Sequence, residues 1–142
     1  MKLLKSIYKK KIFKFAVVGA LGTITNLAIF FLLVDILKFR PNVINIIVFF
    51  IAGTQNYILN HAWTFSQQTA GNKISFIGWI KFTATSAAGF AVNLIVLNLV
   101  LIFFNPPLKV IAQGIGILCG MILNFFGSKH FVFRKKAAKE SD

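Results

Sequence analysis

Amide and basic side chains are the residues of this chain whose types and spacing could bind a ligand. Asn56, Asn60 and His61 fall within NYILNHAWTF, residues 56–65, at the end of an apolar segment. On an ideal helix Asn56 and Asn60 lie on one face, one turn apart. The stretch therefore predicts a polar binding face. The simpler alternative is an interface anchor at a helix end, in which Trp63 belongs to an aromatic belt.

Two further asparagines are expected near the middle of a bilayer. Asn26 lies twelve residues beyond Lys14, which is about 18 Å along a helix in a hydrocarbon core about 30 Å thick. An amide at this depth must find partners and gains about 0.6 to 2 kcal/mol by doing so. Two roles stay open for these amides: they can hold helices together by hydrogen bonds, or they can line a polar path through the membrane. The candidates for such a path are Asn26, Asn56, Asn60, Asn93 and Asn124.

Five basic residues are expected at one common level, contributed by all four apolar segments. Cations at head-group depth can bind lipid phosphates as well as orient the protein. Snorkelling of long side chains toward anionic lipid is the simpler explanation, but Lys81 has apolar neighbours on both sides, which favours a specific site. The phosphate-binding candidates are Lys14, Lys81, Lys129, Arg134 and His61.

The chain lacks the parts of common catalytic sites. Its only acids, Asp35, Glu140 and Asp142, are expected in an external loop and in the C-terminal tail, outside every apolar segment. Paired carboxylates, metal clusters and Ser-His-Asp triads all need such groups. We therefore expect no enzymatic activity, no metal and no cofactor. The missing intramembrane carboxylate also makes a small multidrug exporter the least favoured alternative.

The composition requires a membrane environment. Hydrophobic residues make up 57% of the 142 positions and charged residues 13%, more apolar surface than a soluble domain of this size can bury. Stretches near or above the ~20 residues that cross a bilayer must be helical, because lipid cannot satisfy free backbone groups. There are four, at residues 13–34, 43–59, 76–104 and 108–126.

The charge distribution predicts the orientation. The formal net charge is +13, and eleven of the sixteen basic residues lie in the two terminal segments. A basic patch is the usual mark of a nucleic-acid binder, but charged ends around an apolar body follow the positive-inside rule, which places both termini in the cytoplasm. We expect a multi-pass protein of the cell membrane that contacts anionic lipids and no nucleic acid.

Small residues recur within the apolar segments, among them Gly116 and Gly120 in a GxxxG pattern. Helices in lipid associate by close backbone packing. These residues therefore predict helix contacts within one chain or between copies of it, so a homo-oligomer is an open alternative.

The two halves of the chain match each other. A shift of 67 positions pairs KFAVVGALGTITNL, residues 14–27, with KFTATSAAGFAVNL, residues 81–94. A shift of 68 pairs NYILNHAWTF with NFFGSKHFVF, residues 124–133. Because each half holds two spans, the halves keep one orientation and are related by an axis along the membrane normal.

The predicted fold is an all-α integral membrane protein with four transmembrane helices, arranged as two two-helix repeats of the same orientation with both termini inside. Its parts are a basic cytoplasmic tail (1–12), a membrane domain (13–134) with repeats at 13–65 and 76–134, and a cytoplasmic C-terminal tail (135–142).

These repeated motifs resemble those of the GtrA-like family of small four-span membrane proteins, over nearly the whole chain. The resemblance implies flipping of a polyprenyl-phosphate-linked sugar across the cytoplasmic membrane, for cell-surface polysaccharide biosynthesis or glycosylation. On the hypothesis of such a translocase, we expect Lys14, Lys81, Lys129 and Arg134 to hold the phosphate at the inner leaflet and the five asparagines to offer hydrogen bonds to the sugar or phosphate. The chain departs from the family at His61, where members often have arginine or lysine, and a neutral imidazole offers no fixed charge.

The same resemblance supports an alternative without transport. Related domains occur fused to, or working beside, polyprenyl-phosphate glycosyltransferases. A membrane anchor or scaffold could recruit such an enzyme through its basic cytoplasmic face, and a glycosyltransferase is an expected partner in either case.

Overall fold

The computed structural model describes the backbone of residues 2–67 and 69–131, and the side chains of Lys10 and of residues 12–67 and 69–122. Within these ranges the chain is helical and has no strand, which confirms the predicted all-α class. The helices are α1 (Lys2–Phe30), α2 (Pro41–Leu59), α3 (Phe76–Phe103) and α4 (Lys109–Phe131). The first two continue directly into π-helical turns, Phe31–Ile36 after α1 and Asn60–Thr64 after α2.

The described residues include three helical segments long and apolar enough to cross a membrane, Ile12–Ile36, Pro41–Thr64 and Phe76–Phe103. A shorter apolar segment, Lys109–Ile122, lies in α4. Large hydrophobic side chains such as Ile95 on α3 are exposed over much of the bundle surface. Such an apolar outer surface suits lipid rather than water, so the fold is that of a helical membrane protein.

Helix boundaries follow local chemistry. Pro41 occupies the first turn of α2, where its fixed φ fits the helix and its missing N–H is not needed. Ser75 caps α3, because its Oγ accepts the Gly78 N–H at 3.0 Å. The connections before α2 and α4 turn through Lys38 and Asn105, both with positive φ. These sharp turns return the chain into the bundle within a few residues.

The helices form an antiparallel bundle of two hairpins. α1 packs mainly on α2 and α3 mainly on α4, while α1 also contacts α4 and α2 contacts α3. Lys14, Trp63 and Ser75 lie at one end of the bundle, here called the basic end. Asp35 and the start of α4 lie at the other, the Asp35 end. Helices α1 and α3 therefore run in one direction and α2 and α4 in the other.

The core combines equivalent residues of the two repeats. Phe30 on α1 and Leu97 on α3, separated by the 67-residue shift, are both fully buried. Helices α3 and α4 approach closely, since a Cβ on Gly120 would collide with the backbone oxygen of Gly89 and one on Gly116 with Asn93. The predicted role of the GxxxG pattern in helix contacts is confirmed within the chain.

The expectation that Asp35 lies in an external loop, and that no span contains a carboxylate, is wrong. The π-helical turn carries the first helical segment past Val34, and Asp35 is buried, with 8% of its surface exposed. Its Oδ1 accepts the Lys109 N–H at 2.6 Å and its Oδ2 the Val110 N–H at 2.9 Å. The carboxylate accepts hydrogen bonds from free N–H groups at the start of α4, and its negative charge interacts favourably with the positive end of the helix dipole. Asp35 is therefore a helix cap.

Candidate functional site

Four carboxamide side chains, one from each helix, meet inside the bundle and are here called the amide cluster: Asn26, Asn45, Asn93 and Gln113. The Nε2 of Gln113 donates to the Oδ1 of Asn26 at 2.9 Å and to the Oδ1 of Asn45 at 3.0 Å. The Nδ2 of Asn45 donates to the Oδ1 of Asn93 at 2.7 Å. The cluster thus links all four helices by side-chain hydrogen bonds.

Burial makes these hydrogen bonds important. Asn45 and Gln113 are 0% exposed and Asn93 is 5% exposed. A buried amide without a partner costs about 1 to 3 kcal/mol, and each one here has at least one partner. The Oε1 of Gln113 is a buried acceptor without a partner in the described chain. Asn26 and Asn93 therefore join helices, while their part in a polar path stays a prediction.

Sequence reasoning missed Asn45 and Gln113. The repeat contained the signal, because the shift of 68 that pairs residues 56–65 with 124–133 also pairs Asn45 with Gln113. Asn26 and Asn93 are paired by the shift of 67. The amide cluster thus consists of two pairs of equivalent residues, one pair on α1 and α3 and the other on α2 and α4.

At the basic end, Lys14 joins the start of α1 to the end of α2. Its Nζ donates to the Trp63 carbonyl oxygen at 3.3 Å and lies 5.3 Å from the centroid of the Trp63 ring. Such a cation–π contact holds an ammonium group against an aromatic face. Lys10 and Phe13 complete a surface depression of about 360 Å³ around this pair. A cation beside an aromatic ring at this level suits a lipid phosphate.

The other candidates at the basic end have different surroundings. Lys81 is exposed on α3 and has no hydrogen-bond or ion-pair partner in the part of the chain that is described. His61 is half-buried, with its ring centroid 6.1 Å from that of Tyr57. The side chains of Lys129 and Asn124 on α4, and all of Arg134, lie outside the described residues, so the expected contribution of α4 stays a prediction.

Asn56 and Asn60 turn toward the bundle rather than toward lipid. Asn60 is 4% exposed, and its Oδ1 accepts the Thr64 hydroxyl at 2.7 Å. Asn56 packs against Gly22, where a Cβ would collide with the Asn56 amide. The Asn56 Oδ1 is buried without a partner in the described chain. The two amides therefore belong to the interior between the basic end and the amide cluster.

A cleft of about 150 Å³ opens between the helices beside the amide cluster. Asn26, Asn45 and Asn93 line it together with aromatic rings from α2 and α3 and the hydroxyl-bearing Ser86. Among the described residues, its lining includes no charged side chain. The cleft can therefore hydrogen-bond an uncharged polar group but offers no acid or base for proton transfer.

Comparison with known proteins gives one finding about the family. A family model described as GtrA/DPMS, transmembrane domain, matches residues 14–139. The match begins at Lys14 and includes both repeats. No curated protein and no solved structure matched the chain.

Proposed function

Since the chain belongs to the GtrA/DPMS transmembrane-domain family, we propose that it flips a polyprenyl-phosphate-linked sugar across the cytoplasmic membrane. The sugar would serve cell-surface polysaccharide biosynthesis or glycosylation. Such a lipid has an apolar tail, an anionic phosphate and a hydroxylated head. The apolar bundle surface, the cations of the basic end and the uncharged amide interior are three regions with matching chemistry.

The observation that carries this proposal is that Lys14 and Lys81 at the basic end have no acidic partner among the described residues. The only acid among the residues whose side chains are described, Asp35, lies at the opposite end and caps α4. Lys14 donates to a neutral carbonyl, and Lys81 projects from the surface. Cations without acidic partners at the edge of an apolar region are available to a lipid phosphate.

We further propose four spans with the basic end in the cytoplasm. The fold assigns Lys73 and Lys81 to this end, and eleven of the other basic residues belong to the two terminal segments of the sequence, which we propose lie on the same side. The positive-inside rule places such an end in the cytoplasm. Lys14 and Lys81 would then meet the lipid in the inner leaflet, where it is made.

The proposed role is transport without catalysis. A polyprenyl-phosphate glycosyltransferase that supplies the lipid and anionic lipids around the basic end are proposed partners, and assembly with a second copy stays a prediction. The scaffold alternative differs only in that the chain would hold the transferase and move no lipid.

Reconstitution tests the proposal. Liposomes containing polyprenyl-phosphate glucose are treated with periodate, which does not cross the bilayer, so that only outward-facing glucose is oxidised. We expect wild-type protein to expose the inner pool and the double variant Lys14→Gln/Lys81→Gln to do so much more slowly. Lys109→Gln, which removes a cation at the Asp35 end, is the matched control and should behave like wild type.

Two results would count against flipping. One is an inner pool as protected with the wild-type protein as in empty liposomes. The other is a control that loses as much activity as the double variant, which would separate activity from the basic end. Stable co-purification of a glycosyltransferase with a chain that exposes no lipid would support the scaffold function instead.

A further inference from the structure

The cleft beside the amide cluster has hydrogen-bonding groups to spare. The Nδ2 of Asn26 has no partner in the described chain and is not among its fully buried atoms, so this donor faces accessible space. The Ser86 hydroxyl donates to the Phe82 carbonyl at 3.2 Å, which leaves its oxygen lone pairs as acceptors. Both residues line the cleft. A donor and an acceptor are thus offered to one occupant.

Aromatic surface lies beside these polar groups. Phe49 of α2 and Phe90 of α3 line the cleft and stack on each other, with ring centroids 4.2 Å apart. The electron-rich face of a phenyl ring attracts weakly positive hydrogens, and the C–H groups on one face of a sugar ring are of this kind. Hydrogen-bonding groups next to a phenyl surface suit a sugar, which has both hydroxyl groups and a C–H face. An acyl chain lacks the hydroxyl groups, and water lacks the C–H face.

The size and charge of the cleft further restrict which ligands it can accept. A closed cavity of about 150 Å³ holds benzene, which has six heavy atoms. The cleft has this volume but opens between the helices, so it has room for at most one sugar ring. Because none of the described side chains that line it is charged, an ionised occupant would lose its hydration without a counter-charge from them, at a cost of several kcal/mol. An acidic sugar would also add a second negative charge to that of the phosphate.

We propose that this cleft is a sugar subsite that accepts a single uncharged monosaccharide and rejects acidic sugars. The inference rests on the proposed function, since the sugar would be the head group of the translocated lipid. It assigns the phosphate to Lys14 and Lys81 at the basic end and the sugar to Asn26, Ser86, Phe49 and Phe90.

Cysteine protection tests the subsite without requiring transport. The full-length chain carrying Ser86→Cys and Cys119→Ala is purified in lipid nanodiscs and labelled with a small hydrophilic methanethiosulfonate. We expect octyl glucoside, below its micellar concentration, to slow labelling several-fold, and octyl glucuronide and octyl phosphate to have little effect. Adding Phe90→Leu, which removes the ring but keeps apolar volume, should abolish the protection by octyl glucoside.

The matched control is Ala88→Cys in the same Cys119→Ala background. Ala88 is exposed two residues further along α3, about 200° around the helix from Ser86, so its labelling rate should not respond to any of the three probes. The subsite is overturned if octyl glucuronide protects position 86 as well as octyl glucoside does. It is equally overturned if octyl glucoside gives no protection or if position 86 is not labelled at all.

Transport assays separate failure of the subsite from failure of the proposed function. Liposomes are prepared with polyprenyl phosphate carrying either glucose or glucuronic acid. Equal flipping of both lipids would overturn the subsite and leave translocation standing. Protection by octyl glucoside without flipping of either lipid would leave the subsite standing and overturn translocation.

Discussion

Asn45 and Gln113 occupy equivalent positions in the two repeats, and in the folded chain the Nε2 of Gln113 donates directly to the Oδ1 of Asn45 at 3.0 Å. Equivalent residues can touch only where the two halves meet at their symmetry axis. This contact therefore marks the axis that relates the α1–α2 hairpin to the α3–α4 hairpin. This contact is a hydrogen bond in apolar surroundings. Because hydrogen bonds are directional, it specifies how the two hairpins pack against each other.

Asn45→Leu should destabilise the bundle by about 1 to 2 kcal/mol, because the Oδ1 of Asn93 loses its buried donor and the Nε2 of Gln113 keeps only Asn26 as an acceptor. Gln113→Leu should cost a similar amount. The double variant should cost less than the sum, since both partners of one hydrogen bond are then apolar. Reversible unfolding in mixed micelles measures each free energy of unfolding.

The control on the same helix is Asn42→Leu. Asn42 is exposed at the Asp35 end, where it exchanges hydrogen bonds with Asn98 at 3.0 and 2.9 Å. An exposed amide pair contributes less, so this variant should lose less stability than Asn45→Leu. Additive losses for Asn45→Leu and Gln113→Leu would contradict the coupling.

Gly120→Ala should destabilise the α3–α4 contact by about 1 to 3 kcal/mol, because the new methyl group would meet the backbone of Gly89, which cannot yield as a flexible side chain does. Gly53→Ala on α2 is the matched control, since nothing lies within 4 Å of a Cβ there. Size-exclusion chromatography after heating to a series of temperatures gives the midpoint of thermal unfolding for each variant. Equal midpoints for the two variants would show that α3 and α4 are not this close.

Asp35→Ala should cost about 1 to 2 kcal/mol, because the two N–H groups at the start of α4 lose their acceptors and the helix dipole loses its anion. Lys109→Ala keeps the backbone N–H that Asp35 binds, so it should leave stability nearly unchanged. Denaturant unfolding and hydrogen exchange of the first turn of α4 measure the loss. A proton-coupled role for Asp35 would instead appear as lost transport in Asp35→Asn with unchanged stability.

The proposed orientation predicts opposite labelling of two cysteines in a Cys119→Ala background. Lys73→Cys, in the connection at the basic end, should react with an impermeant maleimide only after intact cells are permeabilised. Arg40→Cys, in the connection at the Asp35 end, should react from outside. The reverse pattern would place the basic end outside and would remove Lys14 and Lys81 from the inner leaflet.

Several features could be predicted from the sequence because they depend on local pattern. Apolar length predicted helices near their observed positions, since a chain in lipid has no other way to satisfy its backbone. The internal repeat predicted paired roles for Asn26 and Asn93. The predicted stretches 43–59 and 108–126 begin within two residues of α2, which starts at Pro41, and of α4, which starts at Lys109. These features require no knowledge of which helices touch.

Other features were decided only by the tertiary structure. Asp35 reads as a loop residue, but a π-helical turn directs it to the N–H groups of α4, 74 positions away at Lys109. Asn45 and Gln113 lie in apolar stretches, and their importance follows from a shared axis that no single helix reveals. The sequence by itself determined that amide side chains would lie at the depth of the membrane, because they occur within the apolar stretches. Which amide meets which was decided by helix packing, because hydrogen bonds between helices depend on rotation and depth as well as on residue type.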